Sequence, residues 1–434
     1  MEIPQVKIGI LGFGVVGGGL YHLLSKNADE ITQRTGLRLV VARVADLDWQ
    51  RERPAYPPSE TRTTDAMEVI NDPEVSIVVE TIGGVGTALE LVRAALAAGK
   101  SVVTSNKELI AKYGAELFDL AAEQGVDLLF EGAVGGTIPI IRALKESLEA
   151  NHIDLVLGIV NGTTNYILTR MSEERSDFRS TLAEAQRLGY AEADPTDDVE
   201  GYDARNKLAI LCALAFGLRA HVEDIYTEGI TGITPTDLQY SEQMGYVVKL
   251  LALGRRHNGR VELRVHPTLL PETHPLASVR GSFNAIFVHG DGCDDVMLYG
   301  RGAGDLPTGS AVAGDVIEAA RNVVHGSRGR VLCTCVADAD VVPMEQVRTS
   351  TYLRLKVTDR PGVLGRIATA FGEEQVSLAS VIQLDTDGHT AEIVMVTHAC
   401  PEGRLNQALA RIEALDEVEA VASRLRVMDT TSQP

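Results

Sequence analysis

No apolar run in this chain reaches the roughly 18 residues that a membrane-spanning helix needs. The longest apolar helical stretch, Leu208 to Phe216, falls far short, so no membrane span is expected. Met1 leads into a polar, then strand-like segment without a signal-peptide pattern. The five cysteines, Cys212, Cys293, Cys333, Cys335 and Cys400, build neither a disulfide framework nor a paired CxxC metal signature. Cys333 and Cys335 read as two residues on one face of a strand, and a reducing cytoplasm is the expected compartment. His257, His266, His274 and His289 lack metal-ligand spacing. Basic residues are short: 40 Lys and Arg stand against 60 Asp and Glu, a formal charge of −20. That balance argues against nucleic acid or an anionic membrane as partner. The acidity is spread along the chain rather than gathered in a solvating tail. What remains is an ordinary globular composition, 45% hydrophobic and 23% charged over 434 residues. That length suggests two to four domains with sizeable cores.

The strongest local motif is "VKIGILGFGVVGGGLYHLL", residues 6–24. Val6 to Leu11 is a short apolar strand. Gly12, Gly14 and Gly17 follow as GxGxxG, and a helical pattern runs on to Leu24. The first glycine permits a tight turn, the second lets backbone approach a pyrophosphate, and the third lets helix and strand pack closely. The helix start supplies unpaired N–H groups. With 41 glycines a chance match is easy, but strand, glycines and helix come here in the required order. Phe13, Val15 and Val16 fill the same turn. "LRLVVARVA" (37–45) reads as a second strand ending at Asp46, where an acid bonds a ribose 2′-hydroxyl and favours NAD. Asp46 is further from the glycines than usual, and Arg51 and Arg53 offer the opposite reading, neutralisation of a 2′-phosphate. Strand–helix alternation continues through 75–84, 87–100, 101–114 and 126–148. It implies a doubly wound parallel sheet, an α/β fold. Ser105, Asn106 and Lys107 follow a strand's carboxyl end, where ligands bind in such sheets. A lysine at a helix start opposes the helix dipole, which favours a functional role over a surface one.

The middle of the chain holds "IDLVLGIVNGTTNYILTRM" (153–171), a strand, a polar turn and a helix. Asn161, Thr163 and Thr164 suit capping and ligand contact equally. After the helix of 176–190 comes "GYAEADPTDDVEGYDARNKLAI" (189–210), with six carboxylates and two bases. Pro195 and its aspartates mark a loop. Asp203 and Lys207 lie four apart on one face of the next helix. An exposed ion pair is the plainer reading. Against it, continuous apolar sequence follows Lys207, and a buried lysine needs a partner or a task. Loop solvation accounts equally well for many of Glu192, Asp194, Asp197 and Asp198.

Taken together, "GFGVVG", "VVETIGG", "VVTSNKELIA", "EGAVGGTIPII", "GIVNGTTNYIL", "GYAEADPTDDVEGYDARNKLAIL", "EGITGITPTDL" and "YGRGAGDLPTGSAV" resemble the homoserine dehydrogenase family over most of residues 6–320. The resemblance implies NAD- or NADP-dependent interconversion of homoserine and aspartate 4-semialdehyde, in threonine, methionine and isoleucine biosynthesis. It implies Lys207 as the acid/base lysine, Lys107 near the reacting centre, and Glu192 and Asp203 in the substrate site. Gly189, Gly302 and Gly304 would lie near cofactor. A monovalent cation, Na+ or K+, would be held by Glu131 and the backbone oxygens of Val134, Gly136 and Ile138. Carboxylates around Lys207 raise its pKa, whereas burial or a second lysine lowers it.

"GITPTDLQYSEQMGYVVKLLALGRRHNGRVELRVHPTLL" (232–270) reads as helix then strand, 282–304 as further strands, and 310–324 as an amphipathic helix. From 351 the pattern is strand, helix, strand, strand, helix, strand, a ferredoxin-like βαββαβ unit. Through "VTDRPGVLGRIA" it resembles the ACT domain. Asp359, Pro361, Gly362 and Val363 would then form a regulatory turn whose N–H groups hold a ligand carboxylate. Threonine is the implied effector; a pure dimerisation module is the alternative. The expected architecture is a Rossmann-type dinucleotide-binding domain over 1–135, to which helix 310–324 returns, and an α+β substrate and dimerisation domain over 136–309. A connector over 325–350, with one short strand, and an ACT-like domain over 351–429 complete it. No fused aspartate kinase is expected within this length. A cytoplasmic homodimer or homotetramer is expected. Another amino-acid or hydroxy-acid dehydrogenase, or a non-catalytic amino-acid sensor, are the competing readings.

Overall fold

A computed structural model of the chain describes residues 3–53, 55–330, 335, 337–386 and 389–428. Cys333 and residue 429, the expected end of the last domain, lie outside the described residues, and Cys335 lies outside any strand. Two compact units emerge. One comprises 1–160, 206–223 and 283–339, the other 161–205, 224–282 and 340–434.

The first unit is built on a six-stranded sheet. Its strands run Arg62–Thr63, Arg38–Ala45, Gln5–Leu11, Val75–Glu80, Ser101–Thr104, Leu128–Leu129 across the sheet, every pair parallel. Counted along the chain this is the order 3-2-1-4-5-6 of the doubly wound fold. The central strands are largely apolar and buried, as strands covered by helices on both faces are. Ile8, Ile10, Ile77, Val79 and Val103 are fully buried. Helix Val15–Lys26 follows the first strand and packs against helix Asp305–His325. Two glycines set how closely they approach. A Cβ on Gly19 would lie 2.3 Å from the Asp305 carbonyl oxygen, and one on Gly309 2.8 Å from the Leu20 nitrogen. Val312, Val316, Ala319 and Ala320 of the later helix enter the same core as Ile8, Ile10 and Leu20. The unit also holds an antiparallel ribbon, Ile153–Ile159 beside Phe283–Gly290 beside Asp294–Arg301. In the expected connector, Ala337–Asp338 pairs with Leu218–Arg219.

Residues 126–148 depart from the simple strand–helix repeat. The strand is only Leu128–Leu129, a single 3-10 turn follows at Glu131–Ala133, and helix resumes at Ile140. Gly135 and Gly136 cause the break, since both hold positive φ, 76° and 56°.

In the second unit, helices Gly162–Glu174 and Phe178–Arg187 precede the acidic loop. The stretch 246–271 corrects the expectation of one strand. It is a hairpin of Tyr246–His257 and Arg260–Pro271, twelve residues each. Asn258 and Gly259 form its turn, both with positive φ, 50° and 78°. Asn-Gly is the preferred pair for a two-residue hairpin turn because its backbone matches the twist of the strands. The βαββαβ module spreads its strands in the order Val418–Val427, Arg348–Thr358, Thr390–Thr397, Leu378–Thr386. Helices Val363–Glu373 and Glu402–Glu413 close its core around Leu353, Leu355, Ile367, Met395 and Leu405.

One buried ion pair joins this module to helix Pro235–Gln243. Asp237 is fully buried and completes a capping box with Thr234 at the helix start. Its carboxylate also accepts from Arg354 Nε at 2.8 Å and Tyr352 Oη at 3.3 Å. Glu392 lies on the other side of Arg354, at 2.8 Å. Burial pulls the Arg354 pKa down, but Asp237 and Glu392 hold it above its ordinary value. Removing one partner leaves the other charge buried and alone. Asp237→Ala is expected to lower unfolding stability by about 3–5 kcal/mol; urea denaturation measures it.

Candidate functional site

In the first unit the glycine turn forms between the first strand and the Val75–Glu80 strand, at the point where the sheet order reverses. Gly12 has φ 88°, and its N–H donates to the Ala45 carbonyl at 2.9 Å. Its own carbonyl accepts from the Thr81 hydroxyl at 2.7 Å. A Cβ on Gly17 would stand 2.3 Å from that carbonyl oxygen, whereas one on Gly14 would meet nothing within 4 Å. Gly14 is the N-cap of the helix and no side chain caps it. Val15 is exposed, Val16 half-buried, and Phe13 buried in the core. The turn therefore presents uncapped helix N–H groups across open space, and this fits a pyrophosphate.

Asp46 closes the second strand's end. Its carboxylate accepts from Phe13 N at 2.5 Å and Asp48 N at 2.8 Å, and it pairs with Arg53 at 3.1 Å. The Arg53 guanidinium is buried between Phe13 and Trp49, 5.4 Å from each ring centre, and donates to the Phe13 carbonyl at 2.6 Å. The acid and the base weighed as rival cofactor readers thus form one pair. Arg51 is exposed.

Glu80 is fully buried at the end of its strand. It accepts from Ile82 N at 2.7 Å, Gly83 N at 3.1 Å and the Thr104 hydroxyl at 2.5 Å. Asn106 caps helix Lys107–Gln124 through Leu109 N and donates to the Gly84 carbonyl at 2.6 Å. These bonds fix the two loops beside Ser105 and Lys107, both half-buried. Lys107 is the helix's first residue.

Glu131 is buried, and its two oxygens accept from Ile141 N at 2.8 Å and Arg142 N at 2.9 Å. Burial raises its pKa against those bonds. Asp315 accepts from Glu131 N at 2.7 Å, and burial pushes it up to about 7. Arg142 reaches Asp315 only at 3.7 Å. Val134 and Ile138 are buried, and the Ile138 carbonyl accepts from Ile140 N at 2.8 Å. Gly136 packs against Arg301 and Gly302, where its Cβ would stand 2.5 Å from the Arg301 oxygen. No cluster of three or more His, Cys, Asp or Glu side chains with metal-site geometry occurs among the described residues.

Gly302 lies against Asn284, so close that a Cβ would overlap the amide. Asn284 is fully buried, and both its polar atoms lack partners among the described residues. Its one signal in the sequence was an asparagine in an apolar strand. Gly304, with φ 130°, is the uncapped N-cap of helix Asp305–His325.

Lys207 also belongs to the first unit. It sits on helix Tyr202–Phe216, only 8% exposed, and donates to the Val160 carbonyl at 2.7 Å.

The second unit begins at Asn161, the next residue in the chain. Its side-chain oxygen accepts from Thr164 N at 2.8 Å and caps helix Gly162–Glu174. Its amide nitrogen donates to Asp198 at 2.6 Å and to Asp203 at 2.9 Å. One amide therefore draws two carboxylates together, and two adjacent carboxylates favour a cation. Asp203 is buried and Asp198 half-buried. Neither the amide's double role nor that of Asp198 was visible in the sequence. Glu192 is exposed, with its carbonyl accepting from Gln186 at 3.0 Å. Asp194 turns inward to Thr196, at 2.6 Å, and Asp197 is exposed. Thr163 donates to the Tyr190 carbonyl at 2.7 Å, beside Gly189 at φ 76°. In the βαββαβ module Gly362 has φ 93° at the N-cap before Val363, and Asp359 N donates to the His389 carbonyl at 2.9 Å. Pro361 is exposed in the same turn.

Family models match three stretches: "Homoserine dehydrogenase, NAD binding domain" over 12–131, "Homoserine dehydrogenase" over 139–317 and "ACT domain" over 351–417. A homoserine dehydrogenase of Neisseria gonorrhoeae is 45% identical, covering 98% of this chain and 99% of its own. The crystal structure of a homoserine dehydrogenase from Thiobacillus denitrificans is 44% identical, with TM-score 0.91 and 98% of each chain covered. A hyperthermophilic archaeal homoserine dehydrogenase in complex with NADPH is 28% identical, with TM-score 0.61, over 73% of this chain and 98% of that one.

The double role of Asn161 separates in two variants. Asn161→Ala is expected to lose the cap, about 1 kcal/mol, in addition to the two carboxylate bonds. Asn161→Ser keeps the cap and loses only the carboxylate bonds. Thermal unfolding of both measures the difference.

Proposed function

The chain belongs to the homoserine dehydrogenase family, and we propose that Lys207 carries the proton of its oxidoreductase reaction while Asp203 and Glu192 hold the substrate ammonium. The observation that carries this reading is a buried lysine on the same helix as Asp203, one turn away, with Asp203 held beside Asp198 by Asn161. When bound, the nicotinamide dinucleotide supplies or accepts the hydride. In reduction of aspartate 4-semialdehyde, negative charge grows on the carbonyl oxygen. The Lys207 ammonium stabilises that charge and donates its proton to give the homoserine hydroxyl. In oxidation the amine takes the proton back. The Val160 carbonyl aims the Lys207 stem, and Lys107 adds positive charge near the reacting centre.

Gly12, Phe13, Gly14, Val15, Val16 and Gly17 would hold the pyrophosphate, with Ser105, Gly189, Gly302 and Gly304 nearer the nicotinamide end. Because Arg53 neutralises Asp46, the ribose corner does not repel a 2′-phosphate. NADP is accepted as well as NAD, in keeping with the NADPH bound by the archaeal relative. A monovalent cation, Na+ or K+, fits at Glu131 and the oxygens of Val134, Gly136 and Ile138. Glu131 and Asp315 are carboxylates whose pKa burial raises, and carboxylate and carbonyl oxygens suit hard cations. The reading extends to threonine, methionine and isoleucine biosynthesis, to a cytoplasmic homodimer or homotetramer, and to threonine feedback at Asp359, Pro361, Gly362 and Val363. No helix among the described residues is long and apolar enough to cross a membrane.

Lys207→Ala is expected to lower kcat about a hundred- to ten-thousandfold with cofactor affinity unchanged, and Glu192→Gln to act mainly on the amino-acid KM. Steady-state kinetics with a fluorescence titration of NADPH checks both, and near-normal turnover in Lys207→Ala removes that lysine from the mechanism. Arg53→Gln is expected to raise KM for NADPH about tenfold more than KM for NADH. Equal effects on both would show that Arg53 does not read the phosphate.

A further inference from the structure

A second lysine is buried in a place the reaction does not use. Lys249 lies on the Tyr246–His257 strand and is 2% exposed. Its ammonium donates to the Asn165 side-chain oxygen at 2.9 Å and to the Val279 carbonyl. Both acceptors are neutral, and among the described residues no carboxylate stands within ion-pair distance of it. A buried charge without a countercharge is costly unless something supplies one.

Lys249 lines a cavity of about 270 Å³ within the second unit. That is slightly below the roughly 300–1,000 Å³ of sites for drug-sized ligands, and so suits a smaller molecule. Its charged lining is balanced, with Arg175, Lys249 and Arg280 against Glu173, Glu242 and Glu272. The charges are also sorted by depth. Lys249 is the buried one, and the other five are exposed on the rim. Glu173 and Arg280 already face each other at 3.4 Å. A cation at depth and acids of the rim complement a small molecule that carries an anion at one end and a cation at the other.

We propose that this cavity binds a free α-amino acid as its zwitterion, the carboxylate on Lys249 and Arg280, the ammonium on the rim carboxylates of Glu242 and Glu272. Such a ligand supplies the missing countercharge. Burial, and after it the charge of Arg280, push Lys249 down to about 8, and Glu173, which is not paired with it, opposes them. Helix Pro235–Gln243 contributes Leu238 and Glu242 to the lining, and its Asp237 is the residue gripped by Arg354 of the βαββαβ module. Occupancy is thereby felt one residue from the link to that module.

The test uses the full chain and the twenty free L-amino acids, one at a time, read by thermal shift and then by equilibrium dialysis. At least one is expected to bind with Glu192→Gln and Asp359→Asn in place, which separates this cavity from the substrate site and the regulatory turn. Its affinity is expected to fall about tenfold or more in Arg280→Ala, in Glu242→Gln and in Lys249→Met. The first two alter exposed rim residues and keep the test valid if Lys249→Met does not fold. The N-acetyl derivative and the methyl ester of the same amino acid, each lacking one charge, are expected to bind at least as poorly. Binding by no amino acid, binding unchanged in the rim variants, or equal binding of the N-acetyl form overturns the proposal.

Discussion

A buried ammonium group must find oxygen, and the end of one strand provides it here. The strand Ile153–Ile159 stops at Val160, whose carbonyl takes Lys207. The very next side chain, Asn161, starts a helix and gathers Asp198 and Asp203. Val160 thus fixes a cation of the first unit, and Asn161 a pair of anions of the second. The strand end is rigid because Ile153–Ile159 lies in a ribbon with Phe283–Gly290. The placement of the Lys207 ammonium therefore comes from an apolar ribbon that cannot shift without exposing its core.

The parts legible in the sequence were those whose chemistry is local. Gly12, Gly14 and Gly17 announce their turn because strand, glycines and helix are consecutive. The βαββαβ module was legible from the alternation of its apolar runs. The hairpin at Asn258 and Gly259 carried a local signal, the Asn-Gly pair, that the reading of one strand passed over. The amide of Asn161 was not legible, because its partners lie 37 and 42 positions on. Its composition was equally that of an ordinary helix cap. Asp46 and Arg53 looked like competing signals because sequence gives proximity and not geometry; folded, each neutralises the other. Asn284 and Lys249 are polar residues set within apolar runs, a pattern that marks a buried polar group without saying what it meets.

Charge in this molecule is managed by burial more than by number. The chain carries an excess of acid, yet its consequential groups are few and enclosed: Lys207, Lys249, Asp237 with Arg354, and Glu131 with Asp315. Exposed ion pairs such as Arg93 with Glu116 contribute little in water. The enclosed ones decide which conformations are affordable, since each demands that its partners be in place before water leaves.

The close crossing of helices Val15–Lys26 and Asp305–His325, through Gly19 and Gly309, has a consequence for synthesis on the ribosome. Chain growth is vectorial, and the nucleotide sheet is finished early, but the helix that seals one of its faces is translated long afterwards. Until that segment leaves the exit tunnel, Ile8, Ile10 and Leu20 lack their covering residues. The nascent protein must spend most of its elongation with that apolar surface open to chaperones.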